Sequence, residues 1–166
     1  MTPPTRFEEI VRSHAIELFR YAYWLARDRH LAEDIVQEAL LRGWRAYPRL
    51  REAAAIKSWL FSIVRNEFLR AAGKAALQTQ GMEDLDLADE RMGKQELEMR
   101  DALMALPAAY AEPLALQVLG GFSCAEIGAM LEITEGAAMT RLTRARQALK
   151  RMLAPAPVRA RKGERS

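Results

Sequence analysis

The sequence predicts an all-α protein of two small helical domains, joined by a flexible acidic linker, with a helix-turn-helix in the second domain. Apolar residues recur at helical spacing through most of the chain, and no segment shows the alternation that is typical of a strand. The periodicity stops between residues 76 and 95, where acidic residues accumulate. With 166 residues, half of them hydrophobic, the chain is long enough for two small cores.

Three amphipathic helices are predicted for a first domain over residues 1–75. The second helix covers about residues 31–47, where Pro48 disfavours further helix, and the third covers about residues 53–74. The first helix, residues 7–27, has a single apolar stripe formed by Phe7, Ile10, Val11, His14, Leu18, Tyr21 and Leu25. Together these patterns predict a compact helical bundle.

Residues 76–95 are predicted to be a flexible linker, because they gain glycine, glutamine and acidic side chains. A second domain is predicted over residues 96–153, with two helices before the helix-turn-helix. The Pro-rich, basic tail 154–166 is predicted to be disordered.

The helix-turn-helix is predicted from residues 123–149. Ser123 and Glu126 have the spacing of a capping box, and Thr134 can cap a second helix after a short turn. The inner face of that second helix is apolar at Ala138, Leu142, Ala145 and Leu149. Its outer face is mainly polar and basic, with Met139, Thr140, Thr143, Arg144, Arg146, Gln147 and Lys150. This pattern favours a helix that enters the major groove of DNA, whereas a basic helix pair in an ordinary helical domain is the alternative.

Charge is distributed in blocks along the chain. Residues 1–75 carry a net charge of +4, residues 76–98 carry −5, residues 99–133 carry −3 and residues 134–166 carry +7. Two basic regions separated by an acidic one predict two contact zones for a polyanion, although a solvated surface gives the same count.

The second helix has a mixed outer stripe. Its members fall at helical spacing on one side and are Asp34, Gln37, Glu38, Leu41 and Arg45. A polar stripe around a central leucine favours docking on another protein, and a solvated face is the alternative.

The third helix interleaves aromatic and cationic side chains. These are Lys57, Trp59, Phe61, Arg65, Asn66, Phe68, Arg70 and Lys74. Cationic grooves with aromatic platforms bind single-stranded nucleic acid, although core aromatic residues produce the same pattern. The cationic and amide residues are therefore the stronger candidates for phosphate or base contact.

Several classes of protein are excluded by composition. Cys124 is the single cysteine, and the two histidines His14 and His30 are far apart, so no disulfide framework and no metal-ligand spacing is present. No catalytic constellation or phosphate-binding glycine loop is visible, so we expect neither enzymatic activity nor a cofactor. No apolar run is long enough for a membrane span and no secretory signal is visible, so we expect a cytoplasmic protein without membrane insertion.

Three segments together resemble the signature blocks of the extracytoplasmic-function (ECF) sigma factors of the sigma-70 family. They are AEDIVQEALLRGW at residues 32–44, SWLFSIVRNEFL at residues 58–69, and residues 106–149, which include the helix-turn-helix. Their order and spacing, the acidic linker and the chain length are all similar to the family. The resemblance covers about residues 7–153.

The resemblance implies a promoter-specificity subunit that binds core RNA polymerase, recognises the −10 and −35 promoter elements and assists DNA melting. The outer stripe of the second helix would dock on the β′ clamp helices, and the β flap is a further expected polymerase contact. The second domain would read the −35 element through the helix that spans residues 135–150, starting with Glu135. The −10 element would be contacted by Lys57, Trp59, Arg65, Asn66, Arg70 and Lys74. An anti-sigma factor is a further implied partner.

Two alternatives remain open at the level of the sequence. One is a sigma-like decoy that binds an anti-sigma factor without recognising a promoter. Met139, where the family often has a basic residue, and the alanine-rich loop 51–55 fit that alternative, although Met139 could also contact a thymine methyl group. The other alternative is a helix-turn-helix regulator that binds duplex DNA without polymerase.

Overall fold

The computed structural model describes residues 6–49, 55–78 and 93–154. These residues form helices and connecting turns, with no strand among them, which confirms the all-α prediction. The helices are α1 (Arg6–Ala26), α2 (Arg29–Ala46), α3 (Ile56–Gln78), α4 (Lys94–Ala105), α5 (Ala108–Gly120), α6 (Cys124–Leu131) and α7 (Glu135–Leu153). A short 3-10 turn, Tyr47–Arg49, follows α2. None of these helices has the length and apolar character needed to cross a lipid bilayer.

The first domain, α1 to α3, is built around the apolar stripe predicted on α1. Leu18, Tyr21 and Leu25 are buried, whereas His14 is only half-buried at the edge of the core. Between α1 and α2 the chain turns at Asp28, whose carboxylate accepts a hydrogen bond from the Leu31 backbone N–H at 3.0 Å. This cap satisfies a donor at the start of α2 and fixes the angle between the two helices.

The helix bounds next to the predicted linker differ from the expectation. α3 continues to Gln78 and α4 begins at Lys94, so both ends of residues 76–95 are helical. Alanine and leucine at residues 75–77 are strong helix formers, which explains why α3 extends. The rest of the predicted linker, residues 79–92, and the tail from residue 155 lie outside the described residues.

The second domain, α4 to α7, contains the predicted helix-turn-helix in α6 and α7. The capping box is confirmed: the Glu126 N–H donates to the Ser123 hydroxyl at 3.2 Å, and the Ser123 N–H donates to the Glu126 carboxylate at 3.1 Å. Thr134 caps α7 as predicted, accepting from the Ala137 N–H at 3.0 Å. Both helices of the motif therefore begin at residues that the sequence itself identifies.

The turn between α6 and α7 depends on Gly128. The Ile133 N–H donates to the Gly128 carbonyl at 2.9 Å, and a Cβ at Gly128 would lie 2.8 Å from the Ile133 carbonyl oxygen. Glu132 takes the left-handed conformation with φ 57° in the same turn. Glycine at position 128 therefore lets the backbone of the turn approach α6 closely and sets the angle of α7.

The two domains share an apolar contact. Phe61 of α3 lies 5.1 Å from Tyr21 in its own domain and 4.9 Å from Phe122 of the second domain, measured between ring centroids. Phe122 reaches this position because Gly121, with φ 69°, ends α5 in the left-handed region and reverses the chain. The core is therefore continuous from the first domain into the second.

Tyr21 lies at the centre of this contact with its hydroxyl group buried and without a hydrogen-bond partner among the described residues. Burial raises the pKa of the Tyr21 phenol far above its usual range, the nearby Glu112 carboxylate raises it further, and Arg65 opposes the shift. The neutral phenol is the form that fits this site.

The pKa of Tyr21 predicts a loss of stability in alkali. Because the pKa is raised in the folded state, the stabilising contribution of the neutral phenol is complete below about pH 10 and decreases above it, by about 1 kcal/mol per pH unit. Tyr21→Phe removes this dependence and leaves stability at neutral pH equal or higher, since the lost hydroxyl has no partner. Urea unfolding followed by circular dichroism at neutral and alkaline pH measures both effects.

The control for this prediction is Tyr23→Phe on the same helix, where the side chain is half-buried and stacked on Phe19. We expect this variant to keep the alkaline loss seen in the wild type. An equal loss of stability at alkaline pH in Tyr21→Phe and in the wild type would contradict the assignment of this loss to Tyr21.

Candidate protein and nucleic-acid interfaces

The predicted docking stripe lies on the outer face of α2. All of its members are exposed, and Leu41 at its centre is 53% exposed. The opposite side of the helix is buried through Ala32, Ile35, Ala39 and Gly43. The helix therefore presents Asp34, Gln37, Glu38, Leu41 and Arg45 away from the core.

Two apolar residues that the sequence analysis did not assign to the stripe lie beside it. Leu31 and Trp44 are both exposed. Leu31 lies one helical turn from Asp34, and Trp44 lies one helical turn from Leu41. Trp44 also packs edge-on against Phe7, with ring centroids 5.6 Å apart. The i, i+3 spacing of both residues could have identified them. They widen the apolar centre of a surface whose border is polar.

Glu38 of the stripe is connected to α3 by an ion-pair network. Arg42 of α2 contacts Glu38 at 3.6 Å and also pairs with Glu67 of α3. Glu67 is buried, and its carboxylate also contacts Arg70 at 3.5 Å. A buried carboxylate needs such partners, because an unpaired charge in the core is strongly destabilising. The sequence analysis did not single out Glu67, because charge pairing across helices has no local signal.

The predicted −10 set on α3 does not form one face. Lys57 and Arg65 lie on the side of α3 toward the second domain, whereas Asn66 is exposed to solvent and Arg70 contacts Glu67, which also pairs with Arg42 of α2. Trp59 is half-buried and packs against the core. The side chain of Lys74 lies outside the described residues.

Lys57 and Arg65 already have partners within the chain. The Lys57 ammonium group is 2.9 Å from the Glu17 carboxylate and 5.5 Å from the centre of the Phe122 ring. Arg65 donates to the Glu112 carboxylate of α5 at 3.3 Å. Both cations are thus neutralised, and the groups around them include two residues of the second domain.

The residues of α7 that the sequence predicts to contact DNA lie on its solvent-exposed outer face. Glu135, Met139, Thr140, Thr143, Arg144, Arg146, Gln147 and Lys150 are all exposed. Inward, Ala138, Leu142 and Ala145 are buried, so core and surface positions on the helix are separated as the periodicity predicts.

Several polar groups on this face are held by local hydrogen bonds. Thr140 and Thr143 donate through their hydroxyls to the carbonyls of Gly136 and Met139, each at 3.0 Å. Arg146 donates to the Gln117 side chain of α5. Arg144 makes no ion pair within the described part of the chain, and Met139 is 55% exposed.

Comparison with known proteins assigns both domains to one family. Residues 10–77 match the family model of sigma-70 region 2, and residues 96–149 match that of sigma-70 region 4. The ECF RNA polymerase sigma factor SigM of Mycobacterium tuberculosis is 33% identical over 150 residues, covering 89% of this chain and 76% of the relative. SigM of Bacillus subtilis is 26% identical over 157 residues, covering 86% of this chain and 92% of the relative.

Solved structures are similar over nearly the whole chain. The sigma factor RpoE of Bartonella quintana, solved in complex with the anti-sigma factor NepR, gives a TM-score of 0.75 at 27% identity, covering 89% of this chain and 96% of that one. CnrH, solved with the cytosolic domain of CnrY, gives a TM-score of 0.66 at 22% identity, covering 89% and 86%, and supports the fold alone.

The two matched regions coincide with the two helical domains, and the chain aligns with most of the length of the relative SigM. The chain belongs to the extracytoplasmic-function RNA polymerase sigma factors, the subunits that give bacterial RNA polymerase its promoter specificity.

Proposed function

We propose that the chain divides this function between two separate surfaces, the outer stripe of α2 for polymerase docking and the outer face of α7 for the −35 element. The observation that carries the proposal is the outer face of α7, where all the predicted reading residues are exposed on a capped, well-anchored helix. Neither surface is a catalytic site, and polymerase performs the reaction.

The α2 stripe is proposed to dock on the β′ clamp helices. Support comes from its composition: the exposed Leu41, with Leu31 and Trp44 beside it, offers an apolar centre, and Asp34 and Gln37 border it. Apolar centres with polar rims are typical of protein interfaces that assemble and separate. The β flap is proposed as a second polymerase contact.

The outer face of α7 is proposed to lie in the major groove of the −35 element. Arg144 and Lys150 are exposed cations suited to phosphates, and Gln147 has the amide that recognises base edges. Met139, exposed among these residues, fits an apolar contact to a thymine methyl group. The Thr140 and Thr143 hydroxyls, which already donate to backbone carbonyls, retain lone pairs for water-mediated contacts.

The −10 element is proposed to be captured by α3 through Lys57, Trp59, Arg65, Asn66, Arg70 and Lys74. Asn66 is exposed and available to contact a base edge, whereas Lys57 and Arg65 must first exchange their carboxylate partners for phosphates.

An anti-sigma factor is proposed as a regulatory partner, supported by the likeness to RpoE, which was solved with NepR. A cytoplasmic location is also proposed, because the promoter DNA that the chain would bind lies in the cytoplasm.

Asp34→Arg is expected to weaken association with core RNA polymerase at least about tenfold, because it places a charge of the wrong sign at the polar border of the docking stripe. Since Asp34 is exposed, the circular dichroism spectrum and thermal unfolding stay as in the wild type. Co-elution with core polymerase in size-exclusion chromatography and run-off transcription measure the effect.

Glu33→Arg is the matched control for this variant. It makes the same charge change on an exposed position of α2 outside the stripe, and removes only a surface ion pair with Arg29. Wild-type co-elution of Asp34→Arg would refute the docking assignment. Efficient co-elution of the wild type without initiation on any promoter fragment would instead favour a sigma-like decoy.

Arg144→Ala is expected to weaken −35 recognition by about tenfold and to lower the salt dependence of binding by about one counterion, as for the loss of one phosphate contact. The measurement is holoenzyme binding, at several salt concentrations, to a duplex promoter fragment selected from genomic DNA. Arg20→Ala, an exposed cation of α1 outside the proposed surfaces, is the control and keeps wild-type binding. Equal losses in the two variants would show a general charge effect and no specific role of α7.

A further inference from the structure

We propose that an open groove between α4 and the end of α7 is the docking site of the chain's own basic tail, residues 155–166. Docking withholds the cations of this tail from DNA. The groove lies within the second domain, and docking does not rest on the functions proposed for α2, α3 and α7. The groove is lined by Glu98, Asp101, Ala102 and Ala105 of α4 and by Met152, Leu153 and Ala154 at the end of α7.

The groove has an apolar side and an acidic side. Its four residues on α4 fall at i, i+3, i+4 and i+7, so they share one face of the helix. The short side chains of Ala102 and Ala105 leave a volume of about 520 Å³ between the two helices. On the side of α7, Met152 and Leu153 are 46% and 37% exposed. Apolar surface is thus left open next to the carboxylates of α4.

Negative charge accumulates around the groove. The Glu98 side chain is exposed and makes no ion pair within the described part of the chain. Asp101 follows one helical turn later on the same face. The carbonyl groups at the C-terminal end of α7 add the negative end of a helix dipole, because α7 ends at Leu153 beside the groove. A cationic segment is therefore the occupant that the electrostatics favour.

The basic tail begins at the edge of this groove. Ala154, which lines the groove, has φ −63° and ψ 136°, so the chain leaves α7 in an extended conformation. Twelve residues follow, with four basic side chains and one acidic side chain. Fully extended they span about 40 Å, whereas the groove residues of α4 cover about 10 Å of helix. Pro155 and Pro157 favour the same extended conformation, and Val158 supplies an apolar side chain.

Tethering makes weak contacts sufficient for docking. Ion pairs between exposed side chains are individually weak and are screened by salt. The tether removes the cost of association, because it gives the tail a local concentration of about 1 mM or more at the groove. Cations that pair with Glu98 and Asp101 are then unavailable to phosphates, although they follow directly on the helix proposed to contact DNA.

Paramagnetic relaxation enhancement in the full chain locates the tail. The nitroxide is attached at Gly163→Cys, between the basic residues of the tail, after Cys124→Ser removes the single natural cysteine. An undocked tail samples about 17 Å in all directions and broadens both sides of the second domain alike. Docking should instead broaden the amide signals of residues 98–105 at least about twofold more than those of Gln147 and Lys150 on the outer face of α7.

Reversal of charge in the groove should remove this preference. Glu98→Arg with Asp101→Arg should give equal broadening on both sides, and Glu98→Arg alone should give an intermediate ratio. Arg161→Glu with Lys162→Glu, added to the double groove variant, should restore the wild-type ratio, because the charges are again opposite. Glu33→Arg makes the same charge change at an exposed position of α2 and is the control, which keeps the wild-type ratio. Circular dichroism verifies that each variant is folded.

A second measurement tests whether docking withholds the cations from DNA. Arg161→Gln with Lys162→Gln removes two positive charges from the tail. With the natural groove, we expect this change to lower the salt dependence of binding to a mixed-sequence duplex by less than about half a counterion. With the charge-reversed groove, the same change should lower it by about two counterions, because the released cations reach phosphates.

Equal broadening of residues 98–105 and of the outer face of α7, with the natural groove, overturns docking. Broadening of an isotope-labelled chain by a spin-labelled second copy also overturns it, since the tail then enters the groove of another molecule. Equal losses of salt dependence with the natural and the reversed groove overturn the withholding of the tail from DNA. All three results leave the docking stripe of α2 and the outer face of α7 as proposed.

Discussion

Phe61 lies between Tyr21 of its own domain and Phe122 of the other, and this contact of three rings helps to hold the two described domains together. Burying a phenylalanine side chain contributes about 2–3 kcal/mol, and an edge-on aromatic pair adds about 1 kcal/mol. The Arg65–Glu112 pair, with both side chains about one-fifth exposed, contributes about 1 kcal/mol or less after desolvation. The rings therefore contribute more to the contact than the ion pair does, and helices α1 and α5 add further packing between the two domains.

Ion pairs within the chain limit the positive charge that the proposed DNA-contacting groups offer to phosphates. Two of the candidate −10 cations are neutralised by carboxylates, and Arg70 is neutralised by the buried Glu67. The cations of α7 are mostly exposed but few in number, so affinity for isolated duplex should be modest and sensitive to salt. Once both domains are held on polymerase, their effective concentration on one promoter makes these weak contacts sufficient.

Local features of this fold could be predicted from the sequence because their causes are local. The Ser123–Glu126 capping box, the Thr134 cap and the separation of the two faces of α7 each follow from residues within a few positions of one another. The contact between Phe61 and Phe122 could not be predicted, because nothing in either segment specifies a partner about sixty residues away. For the same reason the sequence grouped Lys57 and Arg65 with Asn66 and Arg70, although the structure directs them to different neighbours.

The central claim is that the contact of Phe61 with Tyr21 and Phe122 holds the two domains together in the free chain. Electron–electron resonance between spin labels at Ile16→Cys on α1 and Val118→Cys on α5, two highly exposed positions, measures this directly once Cys124 is replaced by serine. The account predicts one short, narrow distance for the free chain. A broad distribution of distances in the free chain would contradict it.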